Sequence, residues 1–502
     1  MMADVFGTSQ LAVLVGITTF CLGFALAPMA LAPFSEINGR YPVFVVSGSI
    51  YVLFQAVCGL VPNLAGMLIA RFLVGVGGSV FSTMVGGVIA DLWHAQGRNT
   101  PMAVFSGFVL VGTGAGPLVS ALIVHRLGIE GRYGGWRWVF WHQAIAGGIL
   151  MVALVTLFKE TRGSVLLSRK AKTLNKWYEE RERAGYFGVW VVEEEDTGDD
   201  DESDLDAPPQ VEEDEEKRID APARAGDSSQ VRLQRIRWIV KEDEERSSIA
   251  VMISISIWRP FHLLFTEPVV FFFSLWVAFA WAVLYLTFGS IPYVFNRIYG
   301  WNIEKCGYMF SAMMVGSFLS TVIGVWQDDL LRNPLWRAEN WDEAGPLTRT
   351  ERFWSFMRRR FPVEVPESRL YFTCITATLL PVGLFIFGFT SDSGTPWIVP
   401  AIAICLATMG IFSVYLATFN YLADVYHVYA SSALAAQSFC RNILGGVFPL
   451  VTVMMFKNLG NDRAGGLLGG IAMGLTLVPW VLVFYGERIR RRSKFAMVLE
   501  KT

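Results

Sequence analysis

Eleven apolar runs of about 20 residues, each bounded by charged segments, dominate this 502-residue chain. Wound as a helix rising 1.5 Å per residue, such a run crosses a hydrocarbon core about 30 Å thick. Inside that core every backbone N–H and C=O must bond within its own segment, which favours helices. The runs cover approximately residues 10–33, 43–61, 66–90, 102–126 and 136–158, then 268–292, 307–326, 370–390, 397–419, 431–455 and 465–486. Only 17% of residues are charged, against about a quarter in soluble domains. The expected fold class is an all-α polytopic membrane protein with the lipid bilayer as its solvent. The first run has no basic lead-in and exceeds a signal core, so it reads as a span.

Charge is segregated along the chain. Lys and Arg concentrate at 159–172, at 332–369, where eight arginines fall, and at 488–494. Alternating spans put all three on one side, which the positive-inside rule makes the cytoplasm. The N-terminus is then outside and the C-terminus inside. Arg126, Arg132 and Arg137 sit on the outside and run mildly against the rule. The expected organisation is a five-span bundle (1–158), a cytoplasmic tether (159–265), a six-span bundle (266–487) with a basic loop at 327–369, and a basic tail (488–502). Fifteen Asp or Glu fall between Glu193 and Glu216. That composition cannot bury a core and is expected to be disordered. Residues 249–266 read as an interfacial helix.

Several function classes lack support. The six cysteines are scattered without a CxxC pair, so no metal site or disulfide framework is expected. No HExxH, GxSxG or P-loop is present, and the chain is not expected to be an enzyme. Nothing points to nucleic acid.

The remaining signal lies in a few tracts. Residues 32–44 read APFSEINGRYPVF, a charged tight turn between spans with Glu36, Gly39 and Arg40. Residues 68–79 read LIARFLVGVGGS and place Arg71 inside a span, with Gly75 and Gly78 on its face. A charge there either snorkels or faces a cavity. Residues 112–121 read GTGAGPLVSA; Gly112, Gly116 and Ser120 form a smooth stripe beside Pro117, and Gly316, Ser320 and Gly324 repeat the device. Gly324 to Asp328 repeats the spacing of Ala32 to Glu36. Arg441 lies ten residues into its run, roughly 15 Å deep.

These tracts, with IADLW (89–93), GWRWVFW (135–141), FHLLFTEP (261–268), PESRLYF (366–372) and residues 419–449, closely resemble fungal twelve-helix drug:proton antiporters of the major facilitator superfamily. The resemblance runs from residue 9 to 495, apart from the acidic tether and part of 327–365. It implies two bundles around a central cavity and alternating access. It also implies export of small amphipathic molecules driven by the proton gradient, with no other cofactor, by a monomer in the plasma or vacuolar membrane. It makes Glu36, Gly39 and Arg40 a cytoplasmic latch, with Ala32 replacing the usual glycine. Arg71 becomes a proton-coupling candidate, joined by Arg441, and Gly112, Gly116 and Pro117 the antiporter motif, with Ser120-Ala121 replacing its final glycines. Cavity candidates are Trp281, Tyr285, Tyr415, Asn420 and Gln437.

Two departures stand out. The family's first helix has no counterpart, and residues 1–9 resemble the loop that follows it. An incomplete N-terminus is expected, against a true eleven-span variant. No Asp or Glu lies mid-span; Glu160, Glu267, Asp91 and Asp424 sit at ends, and His125 and His142 are weak substitutes. The coupling acid is therefore unnamed. The alternative function is a truncated or non-transporting membrane protein, such as a sensor.

Overall fold

The computed structural model describes residues 2–93, 97–128, 135–186, 188–192, 231–241, 249–337, 349–363, 365–392, 394–426, 429–491 and 493. The acidic stretch 193–216, Arg132 and most of the basic tail lie outside them.

Among the described residues, eleven helices are long and apolar enough to cross a membrane. The first five are α1 (Gln10–Asn38), α2 (Arg40–Leu60), α3 (Leu64–Leu92), α4 (Asn99–Leu127) and α5 (Trp136–Leu157). Then come α6 (Gly163–Arg183), the strands β1 (Val189–Val192) and β2 (Val231–Gln234), and α7 (Ile249–Thr266). The last six spans are α8 (Pro268–Tyr299), α9 (Ile303–Leu331), α10 (Pro366–Thr390), α11 (Ile398–Tyr426), α12 (Ala430–Leu459) and α13 (Asn461–Arg490). Each expected run falls within a few residues of a span. The largest shifts are at α8 and α11, each ending seven residues past its expected run, and α1 continues through Pro28 and Pro33 to Asn38. Proline is tolerated there because surrounding helices compensate the lost backbone bond.

The chain forms two compact units, Met1–Gly163 with Ser247–Thr502, and Ser164–Arg246. In the smaller unit β1 and β2 pair antiparallel, with Val189 opposite Gln234. The Asn175 amide bonds both backbone groups of Trp238, at 2.8 and 2.9 Å. Arg235 pairs with Glu182 at 2.7 Å. Residues 164–186, 188–192 and 231–241 thus carry a helix, a strand pair and side-chain bonds within the expected tether.

In the larger unit the two bundles are built unequally. Of the apolar window of α8, 78% is buried, whereas no span of the first bundle exceeds 39%. Phe273, Trp276, Val277, Leu284 and Ile291 put α8 at the centre of the second bundle's core. Core clusters of the first bundle are small, for example Cys58, Met67, Ala70, Val74, Trp136 and Phe140. α7 packs against α1, α8 and α12 and exposes Trp258 and Phe265.

Glycine sets the close crossings. A side chain at Gly23 would strike the backbone of Phe72, and one at Gly75 the backbone of Phe20, so α1 and α3 touch main chain to main chain. The bundles meet along α4 and α9. There Ala103 faces Gly324, Gly107 faces Thr321, Gly114 faces the Phe310 carbonyl and Met314, and Ala121 faces Gly307. This corrects the expected stripe. Gly112 and Gly116 have no neighbour where a Cβ would stand, and Gly316 faces Cys405 of α11. The seam uses a seven-residue repeat, Gly107, Gly114 and Ala121, joined by Gly324 of the expected stripe, whereas Gly112, Gly116 and Gly316 point elsewhere.

Overpacking a tight crossing costs about 1–3 kcal/mol. Gly75→Val and Gly114→Val are therefore expected to lower the melting temperature of the purified protein, while Gly116→Val leaves it unchanged. Equal melting of all three would refute the seam assignment.

Candidate functional site

α1 and α2 are joined by one residue. Gly39 has φ +100°, in the region that favours glycine. Having no side chain, it cannot cap α2, and a carboxylate from far along the chain does so. Glu160 accepts from the backbone N–H of Arg40 at 2.8 Å and of Tyr41 at 3.2 Å. The same carboxylate accepts from Thr161 and Arg162 N–H at 3.1 and 3.0 Å. An anion satisfies the free N–H groups of a helix start and suits its dipole. A Cβ on Gly39 would collide with this carboxylate.

The Arg40 residue is 5% exposed. Its Nε meets Asp91 at 3.1 Å and its Nη1 donates to Ser35 at 2.7 Å. Arg162 takes the other oxygen of Asp91 at 3.1 Å. Arg40 thus pairs with a neighbouring helix end, Asp91 of α3, while also bonding Ser35 of its own tract, and Glu36 has no ion-pair partner among the described residues. Glu36 instead lines the cavity described below.

The second bundle carries a matching cluster. Asp328 accepts from Thr100 at 3.0 Å, pairs with Arg332 at 2.6 Å and lies 3.9 Å from Arg369. Arg369 pairs with Asp424 at 3.0 Å, and Arg490 with Glu367 at 2.7 Å. The Thr100–Asp328 bond joins the bundles, as does the Asn420–Asn99 side-chain pair. Asp91, Glu160, Arg162, Arg369 and Asp424 were not singled out as functional residues by the sequence reading. Their signal was that acids and arginines end several spans on the side of Arg40.

Between the clusters lies a cavity of about 580 Å³. It runs from Glu36, Arg40 and Asp91 at the latch end to Tyr415, Gln437 and Arg441. Of the cavity candidates, Tyr415, Asn420 and Gln437 line it. Trp281 lies under Arg441, whose guanidinium carbon is 4.5 Å from the Trp281 ring centre and 5.0 Å from that of Tyr415. Tyr285 does not line this cavity; it packs on Gly445 and Phe288. Arg71 is half-buried, stacks on Phe140 at 4.7 Å, and is not in this lining. The structure thus separates the two candidate arginines by environment.

At the other end the bundles touch. Thr18 donates to the Gly446 carbonyl at 2.8 Å, and His125 meets Glu304 at 3.0 Å.

Comparison with known proteins agrees with this architecture. The family model described as the Major Facilitator Superfamily matches residues 1–449. An MFS transporter of Penicillium rubens, paaT, is 30% identical over 491 residues, 98% of this chain and 74% of that relative. A probable drug/proton antiporter of Saccharomyces cerevisiae, YHK8, is 27% identical over 481 residues, 96% of this chain and 77% of that relative. The efflux pump FUB11 of Gibberella fujikuroi is 28% identical over 491 residues, 98% of this chain and 71% of that relative. The solved proton:xylose symporter XylE aligns with a TM-score of 0.55 at 14% identity, covering 96% of this chain and 90% of that one, and supports the fold.

Removing one member of a buried ion pair costs about 3–5 kcal/mol, because the partner charge stays behind. Asp91→Ala, which strands Arg40 and Arg162, is expected to lower the melting temperature sharply. The exposed pair partner change Glu487→Ala is expected to leave it within error, since both members of that pair face solvent. Similar melting of the two variants would count against a structural role for the latch-end cluster.

Proposed function

Because the chain belongs to the Major Facilitator Superfamily and is an integral membrane transporter, we propose that it exports small amphipathic organic compounds by proton antiport. The observation that carries this reading is the one-sided cavity. It sits between the bundles at the latch end, while Thr18–Gly446 and the α4–α9 seam hold the bundles together elsewhere. A volume near 580 Å³ suits a drug-sized molecule. Its walls mix aromatic, amide and charged groups, as amphipathic cargo requires.

In this reading the chain alternates between an arrangement open at the latch end and one open at the other, by rocking of the bundles. Positive charge near the latch end supports a cytoplasmic position for that end. The plasma membrane is the expected site, with the vacuolar membrane as the other. Glu36, Gly39 and Arg40 act as the latch. Gly39 and Arg40 are fixed by Glu160 and Asp91, and Glu36 is left facing the cavity, able to meet the opposite bundle on closure. Arg71, a cation within a span, is the coupling candidate because such a charge alters the proton affinity of any acid near it. Export is supported by the names of relatives, which include efflux pumps and a drug/proton antiporter.

Expression in a yeast strain stripped of its own exporters is expected to lower accumulation of amphipathic dyes several-fold, and a protonophore to abolish the effect. Arg71→Ala is expected to leave dye binding but remove the response to a pH gradient. Glu36→Ala is expected to shift the balance between the two open states, read as altered cysteine accessibility at each end. Absence of any dye efflux would favour the non-transporting alternative. Efflux indifferent to protonophore would remove proton antiport and leave the transporter.

A further inference from the structure

We propose that the cargo is an organic anion, a planar or aromatic carboxylate, held at its charged end by Arg441; this rests on the transporter reading above. Arg441 is 2% exposed, yet its Nε and Nη1 have no hydrogen-bond partner among the described residues. Gln437, one turn earlier on α12, is buried with its acceptor Oε1 unpartnered among the described residues, which suits a donor elsewhere on the cargo rather than its carboxylate. Both residues line the cavity.

The contrast with the other arginines is what points to a ligand. Arg40 and Arg162 share Asp91, and Arg369 holds Asp424. Arg441 has only the faces of Trp281 and Tyr415. Both rings lie within cation–π reach of the guanidinium, and its Nε–H and Nη1–H are left for an acceptor. A guanidinium is a fork matched to a carboxylate. The cavity lining also carries more cations than anions: Arg40, Arg98, Arg162, Arg369 and Arg441 against Glu36, Asp91 and Asp424. With the paired groups set aside, the inner end is positive, so a carboxylate enters favourably and an ammonium does not. Tyr415, Phe419 and Leu434 offer apolar surface for the rest of the molecule.

The test is calorimetric binding to the purified full chain of 1-naphthoate and of 1-naphthylmethylammonium, two probes alike in shape and opposite in charge. Naphthoate is expected to bind at least about tenfold tighter than the ammonium. Arg441→Gln is expected to weaken naphthoate by about tenfold or more and to leave the ammonium unchanged. Arg441→Lys, which keeps the charge without the fork, and Gln437→Leu are expected to weaken it less. They supply the comparison if Arg441→Gln elutes as aggregate. Equal binding of the two probes, preference for the ammonium, no naphthoate binding, or naphthoate affinity indifferent to residue 441 each overturns the proposal. The same protein in proteoliposomes separates the two readings. Arg441-dependent naphthoate binding without movement sinks export and leaves the anion site. Movement of the ammonium without such binding does the reverse.

Discussion

A guanidinium taken out of water needs an anion or an aromatic face, and the arrangement of this protein follows from how each of its buried arginines finds one. Desolvating a charge costs several kcal/mol in a protein interior, so the partner is part of the fold. At the latch end Asp91 answers two arginines at once, and Asp424 answers Arg369. These pairs tie the ends of α2 and α3 to the chain just after α5, and α10 to α11. They make that end of each bundle a rigid block. The cap that Glu160 places on α2 belongs to the same device, since the residue two positions on is Arg162 of the Asp91 pair.

Rigid ends make the seam between the bundles matter. Along α4 and α9 the contacts are small residues against backbone or short side chains. Such a surface has few interlocking side chains and little to break when one bundle turns against the other. The polar links across it, Thr100 to Asp328 and Asn99 to Asn420, are single bonds at the latch end. The Asn99–Asn420 bond is worth about 1 kcal/mol net, and the Thr100 bond, which ends on a carboxylate, about 1.5–3 kcal/mol. Links of that strength break and re-form more readily than a buried ion-pair network.

Most of the fold was legible in the sequence, because span length and apolar composition are set by the bilayer and survive any detail of packing. The eleven runs could be read in advance, and so could small-residue stripes on α4 and α9, the two helices that come into contact. The register of that contact could not. Gly112 and Gly116 have the right spacing on paper, but Gly107 and Gly114 make the crossing, and only the rotation of α4 about its axis decides between them. The latch tract was legible as a turn with a charge, whereas its partners were not. Glu160 lies 120 residues from Arg40 and reaches it by tertiary folding alone. Trp281 and Arg441 were named separately, and their stacking became visible when α8 and α12 were seen side by side. Tyr285, one turn beyond Trp281, was grouped with it by helical period and proved to pack on Gly445.

The central claim is that two rigid bundles exchange a single opening between their ends. Distances between spin labels measure this most directly, in a background with the native cysteines replaced. One pair would sit at the latch end, Asn38→Cys with Ser431→Cys, and the other at the far end of the same two helices, Leu11→Cys with Leu459→Cys. All four positions are exposed. The account predicts two distances at each pair, with the longer latch-end distance accompanying the shorter far-end one, and with pH or cargo moving both populations in opposite directions. A single unchanging distance at both ends, or both ends lengthening together, would contradict it.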